Sequence, residues 1–429
     1  MTFKFLAPIA PFPAQDTRHA GGSLLLWYQA IVLAAALGAI YANLPIYGYF
    51  LNPGLLPKFF YFGIFFLVAP LILLRSRSFG AYLLSPFVRW AACFLVLNLI
   101  HLGVAAASNR WDGIFSYEIH SDARQALITT RIQYLVFAVF LGFVAYISSY
   151  KKYLYIMVVL MVVLPCAVVL DFARPGLLYP LDTEGAVLGR AAAMFINPTS
   201  AGEAVLLVFI IGCSVIKEKY RVALFLLSGA AVVTTFSRSS IIAWVLLLFI
   251  LVCKRSLPKS SVIILSSVFA FSLALVGGFE RYLESRQELA AASSNIMSRL
   301  DFFSTFKFTD DSSEERAGVI QAGWELFLEN PVFGAGAGAT HFWSQRGSTH
   351  NQLLLLAAEY GFFGIVLWGW LLAILWKGKF FAEKGLQVSL VFLFVFMSLF
   401  THQMFDAASY WLATFAIMSI RKIKTDAKG

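Results

Sequence analysis

Apolar residues in this chain are gathered into long uninterrupted runs, and short polar segments separate one run from the next. A hydrocarbon core of about 30 Å is crossed by about 20 apolar helical residues, with about 17 as the lower limit. Because backbone groups inside lipid must be hydrogen-bonded internally, such runs are expected to be helices. We predict twelve spans, at 24–41, 56–74, 81–107, 126–149, 153–170, 200–216, 220–236, 238–253, 260–279, 350–376, 386–402 and 405–420.

Composition supports the same class. Hydrophobic residues make up 60% of the chain and charged residues 13%, whereas soluble domains have about 45–50% and about 25%. The chain is therefore predicted to be an all-α integral membrane protein that forms one polytopic domain, 1–429. The four cysteines fall in or at the ends of apolar runs without metal-ligand spacing, and we interpret them as packing residues: Cys93, Cys166, Cys213 and Cys253.

The distribution of charge predicts an orientation, because cytoplasmic loops retain Lys and Arg while exported loops do not. The two tails and the loops near 75–80, 148–153, 217–221, 254–259 and 377–385 hold 19 Lys/Arg against 4 Asp/Glu, and the rest of the chain holds 14 against 19. Both termini are therefore expected to be cytoplasmic. The net charge of +10 is explained by topology, and we expect no nucleic-acid partner.

One large polar insertion, 280–349, interrupts the apolar runs between the ninth and tenth spans and is predicted to lie outside. Within it, Ser312-x-x-Glu315 fits a helix capping box. A helical stripe of apolar residues follows and stops at Asn330-Pro331. The loop is therefore expected to be partly helical. Its stripe could pack on the bundle or contact lipid at the interface: Val319, Ile320, Leu326 and Phe327.

Three spans that run inward share a capping signal at their outer ends. Ser200-x-x-Glu203 fits a capping box for the sixth span, Ser237 can cap the eighth, and Thr349-x-x-Gln352 fits a capping box for the tenth. Each helix start presents unpaired N–H groups and the positive end of the helix dipole, which together receive phosphate. The pattern predicts an anion site on the outer face.

Three arginines are close in sequence to these signals. Arg238 follows the cap of the eighth span, Arg190 precedes Asn197-Pro198, and Arg316 follows the capping box of the loop. A guanidinium group matches phosphate oxygens bidentately, so these residues are candidate phosphate ligands. The alternative is that they pair with the outer acidic residues or extend to lipid headgroups.

His350 stands at the start of the tenth span. The positive end of the helix dipole disfavours the imidazolium form, which keeps a neutral ring available as a general base. A bound pyrophosphate would act in the opposite direction. The alternative is an ordinary hydrogen-bonding group at the membrane interface.

Four motifs follow one another along roughly 190–364. They are Arg190-x4-Phe195-x-Asn197-Pro198, Thr235-x-Ser237-Arg238, Arg316 followed by Pro331-x2-Gly334-x-Gly336-x-Gly338, and His350-Asn351 followed by Glu359-x-Gly361-x2-Gly364. In this order, the motifs resemble those of the O-antigen ligase superfamily, which is related to the O-antigen polymerases.

The resemblance implies a glycosyltransferase of GT-C-like architecture in the bacterial inner membrane, with its active site facing the periplasm. It would move a polysaccharide from undecaprenyl pyrophosphate to a sugar hydroxyl of lipid A-core, with inversion and without a cofactor, metal or ATP. His350 would be the base, and Arg190 and Arg238 would bind the pyrophosphate and stabilise its developing charge. The remaining residues expected to bind substrate are Arg316, Asn197, Asn351 and Gly336.

Other functions stay open at this point. An O-antigen polymerase would use the same donor with a second lipid-linked glycan as acceptor, and a protein-glycosylating relative is a further possibility. A transporter would hold polar groups near the middle of the membrane, where this chain carries few charges, chiefly Arg89, Arg131, Glu203 and Glu359.

Two smaller alternatives concern acidic residues. Metal-assisted transfer could use ligands from the first outer segment, although their spacing fits no specific site: Asp112, Glu118, His120 and Asp122. Glu359 could hydrogen-bond near the site or pair within the bundle, and Glu203 is explained as part of a helix cap.

Overall fold

The computed structural model describes residues 23–107, 121–148, 150–183, 186–187, 189–261, 263, 311–343, 348–378, 380–401, 404–406 and 409–420. Within these residues the protein is all helical and contains no β-strand. The all-α prediction is therefore confirmed for the part of the chain that the structure describes. The ninth predicted span, 260–279, apart from residues 260, 261 and 263, and the insertion before residue 311 lie outside the described residues.

The first half of the described chain consists of seven helices. They are α1 Ser23–Tyr41, α2 Leu44–Leu51, α3 Pro57–Leu74, α4 Ser76–Leu83, α5 Pro86–Ala107, α6 Ser121–Ile147 and α7 Tyr150–Ala173.

The second half begins with a 3-10 turn at Ala193–Phe195. Seven further described helices are α8 Pro198–Cys213, α9 Glu218–Thr234, α10 Arg238–Cys253, α11 Asp311–Glu329, α12 Gln352–Lys377, α13 Lys384–Ser398 and α14 Tyr410–Met418.

Six of these helices, α1, α3, α5, α6, α7 and α12, are long and apolar enough to cross a membrane, and α8, α10 and α13 are shorter apolar helices. The membrane class is thus supported, while the count of twelve spans stays a prediction. Four predicted boundaries differ from the helix ends by four or five residues, including the start of the fourth span, where α6 begins at Ser121, and the end of the eleventh, where α13 ends at Ser398. The third span begins at Pro86 instead of residue 81, since a separate helix, α4, ends at Leu83. The helix in the twelfth span, 405–420, covers only Tyr410–Met418.

Helices α8 and α14 form the centre of the bundle. Fourteen of the sixteen residues of α8 are buried, as are all nine residues of α14. A helix that is apolar on every side is expected to be enclosed by other helices. Small residues let the neighbours approach: a Cβ on Gly202 of α8 would lie 2.6 Å from the Ser240 side chain of α10.

The Lys/Arg-rich loops gather at one end of this bundle. Arg221 at the start of α9 pairs with Glu383 before α13 and donates to the Ser256 carbonyl after α10, at 3.0 Å. The rings of Tyr153 and Phe380 join the start of α7 to the same end, with centroids 5.6 Å apart. Tyr82 of α4 and Tyr146 of α6 are in ring contact as well, at 5.7 Å. The loops predicted to be cytoplasmic therefore share one face, and its assignment to the cytoplasm stays a prediction.

The helix α12 is broken at Gly361, about a third of the way along its length. Gly361 has φ 62° and ψ −142°, which lies outside the helical region. The break leaves backbone groups without helical partners, and the segment 331–336 supplies new ones: Phe362 N–H donates to Pro331, Ala335 N–H to Ala358, and Gly336 N–H to Glu359, at 2.8, 2.8 and 3.0 Å. Backbone hydrogen bonds thereby attach the glycine-rich loop to the broken helix.

We expect any substitution of Gly361 to be destabilising. Its φ and ψ lie in a region that L-residues rarely adopt, at a cost of about 1–3 kcal/mol, and a Cβ there would lie 2.4 Å from the Val332 carbonyl oxygen. Gly361→Ala should therefore lower the thermal unfolding midpoint of the detergent-solubilised protein clearly. Gly369→Ala, in the same helix with nothing within 4 Å of its Cβ position, should leave the midpoint unchanged or raise it. Equal midpoints for the two variants would contradict the role given to the break.

Candidate functional site

The starts of α8 and α10 lie together at the end of the bundle opposite the basic loops. The Ser237 hydroxyl, at the N-cap position of α10, donates to Thr199 in the first turn of α8, at 3.3 Å. Ser237 makes no side-chain capping bond to its own helix, so the expected cap is correct in position and wrong in its hydrogen bonding. The hydroxyl joins two helix starts instead.

Arg190 reaches the same turn from the preceding loop. Its Nε donates to the Thr235 carbonyl, at 3.0 Å, and the neighbouring Ala191 N–H donates to Thr234, at 3.1 Å. Arg238 is the first residue of α10. Two of the three arginines predicted from the sequence are therefore brought to one turn.

Asn197 caps α8. Its side-chain oxygen accepts hydrogen bonds from the amides of Thr199 and Ser200, at 2.9 and 3.3 Å, and Pro198 occupies the first helical position. The predicted capping box of Ser200 and Glu203 is wrong, because the helix begins two residues earlier with a better cap.

Glu203 has a different role from the predicted one. It is fully buried, and its carboxylate accepts hydrogen bonds from Trp411 Nε1, at 2.6 Å, and from the Tyr410 hydroxyl, at 3.1 Å. Tyr410 is also within 3.3 Å of the Ser200 carbonyl. These contacts fasten the start of α14 to the start of α8.

His350 immediately precedes the N-cap of α12. Its φ is 49°, a left-handed conformation that is uncommon for a residue other than glycine. Asn351 caps the helix by accepting from Leu354 N–H, at 3.0 Å. The predicted capping box of Thr349 and Gln352 is wrong, since the Thr349 hydroxyl donates to the Asn351 carbonyl and Gln352 accepts from Met404 N–H, both at 3.0 Å.

The start of α12 therefore faces the same end as α8 and α10. Met404, which bonds Gln352, lies six residues before Tyr410, which contacts α8. The described contacts tie Arg190 to the turn before Arg238, and they place His350 at the start of a different helix of that end.

Arg316 and Gly336 belong to the loop that covers α12. Arg316 is exposed on α11, and α11 packs on α12 through Gly323, where a Cβ would meet Thr349 at 2.9 Å. Gly336 has φ 98° and donates its N–H to Glu359. Gly334 is equally constrained, because a Cβ there would lie 2.3 Å from the Glu359 backbone. These two glycines therefore allow the loop to lie directly against the backbone of α12.

A cleft of about 370 Å³ that is open to solvent lies beside Arg190 and is lined on the other side by Tyr179 and Leu181. Asp171 fixes its floor by accepting from the amides of Ala192 and Ala193, each at 2.8 Å. Burial, and then the Asp171 carboxylate, raises the pKa of Tyr179 above its ordinary value. Tyr179 therefore stays a neutral hydroxyl that donates to Asp171.

A buried cluster of charges lies beneath the loop. Arg131 of α6 pairs with Glu359 of α12 and donates through Nε and Nη2 to the two oxygens of Asp406, at 2.6 and 3.1 Å. The side chains of Arg131 and Glu359 are almost completely inaccessible. A paired carboxylate is one of the two outcomes expected for Glu359. The cluster joins α6, α12 and the segment before α14.

The loop after the glycines completes this cluster. Thr340 donates to Glu359 at 2.8 Å, and His341 lies 3.5 Å from both Glu359 and Asp406. Arg124 Nε donates to the Ala337 carbonyl at 2.7 Å. The loop is thus held from below by polar contacts as well as by the break in α12.

Sequence reasoning missed His341 and Asp406. The signal available was Arg131 together with Glu359, two opposite charges inside predicted spans, which are expected to pair with each other or with a further charge. Asp406 lies within the predicted twelfth span and was the obvious further candidate. His341 had no signal, because nothing in the local sequence indicates that the loop folds back onto α12.

The predictions for the cysteines and for the candidate metal ligands have different outcomes. Cys213 is buried as expected, whereas Cys93, Cys166 and Cys253 are exposed on the bundle surface, so the packing interpretation is wrong for those three. The candidate metal ligands Asp112, Glu118 and His120 lie outside the described residues, as does the side chain of Asp122.

Breaking the charge cluster should destabilise the protein, because Glu359→Gln replaces the buried charge-assisted hydrogen bond from Arg131 with a weaker neutral one, although Arg131 keeps its bonds to Asp406; a hydrogen bond to a charged group contributes about 1.5–3 kcal/mol. Glu359→Gln is expected to lower the thermal unfolding midpoint in detergent. Glu325→Gln, at an exposed position of α11, is the matched control and should have no effect. A parent-like midpoint for Glu359→Gln would show that the pair contributes little.

Comparisons with known proteins bear on the region that contains these features. Residues 223–369 match the O-antigen ligase family. No curated protein matches the chain. A chain from a solved structure described as "Structural coordination of polymerization and crosslinking by a peptidoglycan synthase complex" is similar over 78% of this chain and 95% of its own length, with 16% identity and a TM-score of 0.41. A similarity this weak carries no argument about function.

The match over 223–369 supports membership of the O-antigen ligase superfamily. The family covers O-antigen ligases and polymerases. The family itself is associated with glycosyltransferase-like ligase or polymerase activity on lipid-linked glycans in a membrane. The family predicted from the motifs is confirmed.

Proposed function

We propose that this member of the superfamily is an O-antigen ligase of the bacterial inner membrane. It transfers a polysaccharide from undecaprenyl pyrophosphate to a sugar hydroxyl of lipid A-core at the periplasmic face. The observation that carries the proposal is that the starts of α8, α10 and α12 lie at one end of the bundle, opposite the Lys/Arg-rich loops. By the distribution of charge, that end faces outward.

The pyrophosphate of the donor would bind at the start of α10. Arg190 and Arg238 are supplied to one turn from two segments, and Arg190 is oriented by its hydrogen bond to Thr235. Backbone N–H groups at the helix starts add dipoles that favour an anion. Asn197 and Asn351 contribute by fixing two of these helix starts.

The remaining loop residues act from the other side. Arg316 is exposed on α11, which packs beside Thr349, and in our proposal it contacts the donor's phosphates or first sugar. Gly336 contributes through the backbone, since its amide holds the loop on α12. We propose no resident metal, cofactor or nucleotide.

His350 would act as the base. It removes the proton from the acceptor hydroxyl as that oxygen attacks the anomeric carbon of the donor, on the face opposite the pyrophosphate. The bond from the anomeric carbon to the phosphate oxygen breaks, and its electron pair leaves with undecaprenyl pyrophosphate. The guanidinium groups stabilise the charge that develops there. One displacement of this kind inverts the anomeric configuration.

A polymerase is the second candidate, because the matched family covers both activities. It would use the same base and the same pyrophosphate site, with a second lipid-linked glycan as acceptor. The two functions differ only in the hydroxyl presented to His350, so the acceptor supplied in the assay separates them.

The base can be tested by transfer with purified protein, undecaprenyl-linked glycan and lipid A-core in buffer that contains EDTA. The parent should form joined lipopolysaccharide. His350→Asn should lose at least about 100-fold in rate, since general bases contribute about 10²–10⁴-fold. Asparagine tolerates the left-handed backbone at this position, so the control for folding is an unchanged unfolding midpoint.

Transfer at the parent rate by folded His350→Asn protein would eliminate the assigned base. Activity restored only by added metal would overturn metal independence. Polymerised donor without transfer to lipid A-core would identify a polymerase instead.

The pyrophosphate site can be tested with conservative arginine variants. Lysine keeps the charge but loses the bidentate geometry, so Arg238→Lys and Arg190→Lys should each weaken inhibition by undecaprenyl pyrophosphate several-fold. Arg221→Lys changes an arginine at the opposite end of the bundle and should leave inhibition unchanged. The assignment fails if Arg221→Lys weakens inhibition as much as the other two variants.

A further inference from the structure

The helix α11 has three distinct faces. One is apolar and buried, one is apolar and exposed, and one is polar. A helix that only packed on the bundle would need one apolar face, with polar residues over the rest. The second apolar face therefore requires an explanation of its own.

The buried face joins α11 to α12 and to the loop after the glycines. Val319 and Leu326 are 2% and 5% exposed and form a small core with Ala339, Trp343 and Ala358. Gly323 lies between them on the same face, close to Thr349 and Leu354. This face explains only part of the predicted apolar stripe, because Ile320 is 41% exposed.

The exposed apolar face consists of Ile320, Trp324 and Leu328, spaced four residues apart, and Trp324 and Leu328 are 52% and 57% exposed. The polar face lies beside it and carries Gln321 and Glu325, which hydrogen-bond to each other at 2.9 Å. Trp324 is an amphipathic ring of the kind enriched at membrane interfaces.

This exposed face continues onto the surface of a membrane-crossing helix. The chain after α11 exposes Val332 and Phe333, and the Phe333 ring stacks on Phe363 of α12, with centroids 5.8 Å apart. Phe362 and Phe363 are themselves exposed, on a helix long and apolar enough to span a membrane. An exposed apolar surface on a helix of this length and composition is suited to contact with lipid, and the exposed apolar residues of α11 lead to it along the chain.

We infer that α11 is an interfacial helix, immersed along its Ile320–Trp324–Leu328 face in the lipid leaflet, with Gln321 and Glu325 in water. Moving the exposed parts of three large apolar side chains from water into lipid is favourable. That the leaflet is the outer one rests on the proposed function and its topology.

Immersion of α11 has a consequence for the proposed site. Because Gly323 packs directly against Thr349, the depth of α11 in the leaflet fixes the depth of the adjacent His350. The start of α12 would then be held at the headgroup layer, where the pyrophosphate of a lipid-linked donor lies. The acceptor hydroxyl would have to approach along the membrane surface.

Collision accessibility of nitroxide labels tests the immersion directly. The full chain would be prepared without its native cysteines, Cys213 as alanine and the three exposed ones as serine. It would carry one cysteine at Leu328→Cys or at Glu329→Cys, in vesicles of phosphatidylethanolamine and phosphatidylglycerol. Consecutive positions lie about 100° apart around a helix, which makes the second label a matched control for the first.

The label at 328 should collide several-fold more often with oxygen, which concentrates in lipid, than with a water-soluble nickel chelate, and the label at 329 should show the reverse. Preference for the nickel chelate at both positions would overturn the inference. So would a label at 328 shielded from both reagents and broadened by a second label, which would indicate self-association.

The measurement is independent of catalysis and can be repeated in His350→Asn protein. Parent protein that transfers no glycan to lipid A-core but gives the expected label pattern would remove the proposed function and leave the interfacial helix in place. A fully active ligase with both labels in water would do the opposite.

Discussion

The break in α12 at Gly361, with the charges buried beside it, is the constraint on which the end of the bundle opposite the basic loops depends. A continuous helix would satisfy its own carbonyls; the broken one exposes those of Ala358 and Glu359 to the loop, whose amides take them. The Glu359 side chain then binds Arg131 and Thr340. One residue thus fastens the loop through its backbone and α6 through its carboxylate.

These contacts position the neighbouring elements at the end of the bundle opposite the basic loops. With the loop held on α12, α11 is brought against Thr349, and the segment at Asp406 is tied to α6. The same segment leads to Tyr410, which contacts the start of α8. The helix starts proposed to receive pyrophosphate are therefore positioned by contacts within the membrane domain. A scaffold of this kind suits a site that must position two large lipid-linked substrates.

The predictable part of the structure is the part determined by local pattern. Long apolar runs predicted most described helices, because length and composition alone distinguish a membrane helix. Asn197 and Asn351 were expected to bind substrate, and their capping was missed because several polar residues stand at each helix start. The Arg131–Glu359–Asp406 cluster required knowledge of which spans are neighbours. The position of His341 in this cluster could not be predicted, since it depends on the loop folding back over a break in α12. A single glycine, Gly361, does not predict such a break.

The central claim is that the donor's diphosphate binds where Arg190 and Arg238 meet, within reach of His350. A cryo-EM structure of the protein with undecaprenyl pyrophosphate in a lipid nanodisc tests it most directly. We expect the phosphates in contact with both guanidinium groups at the start of α10, with the His350 ring facing the bound headgroup. Phosphates bound instead beside Arg221 among the basic loops, or a His350 ring remote from both arginines, would contradict the account.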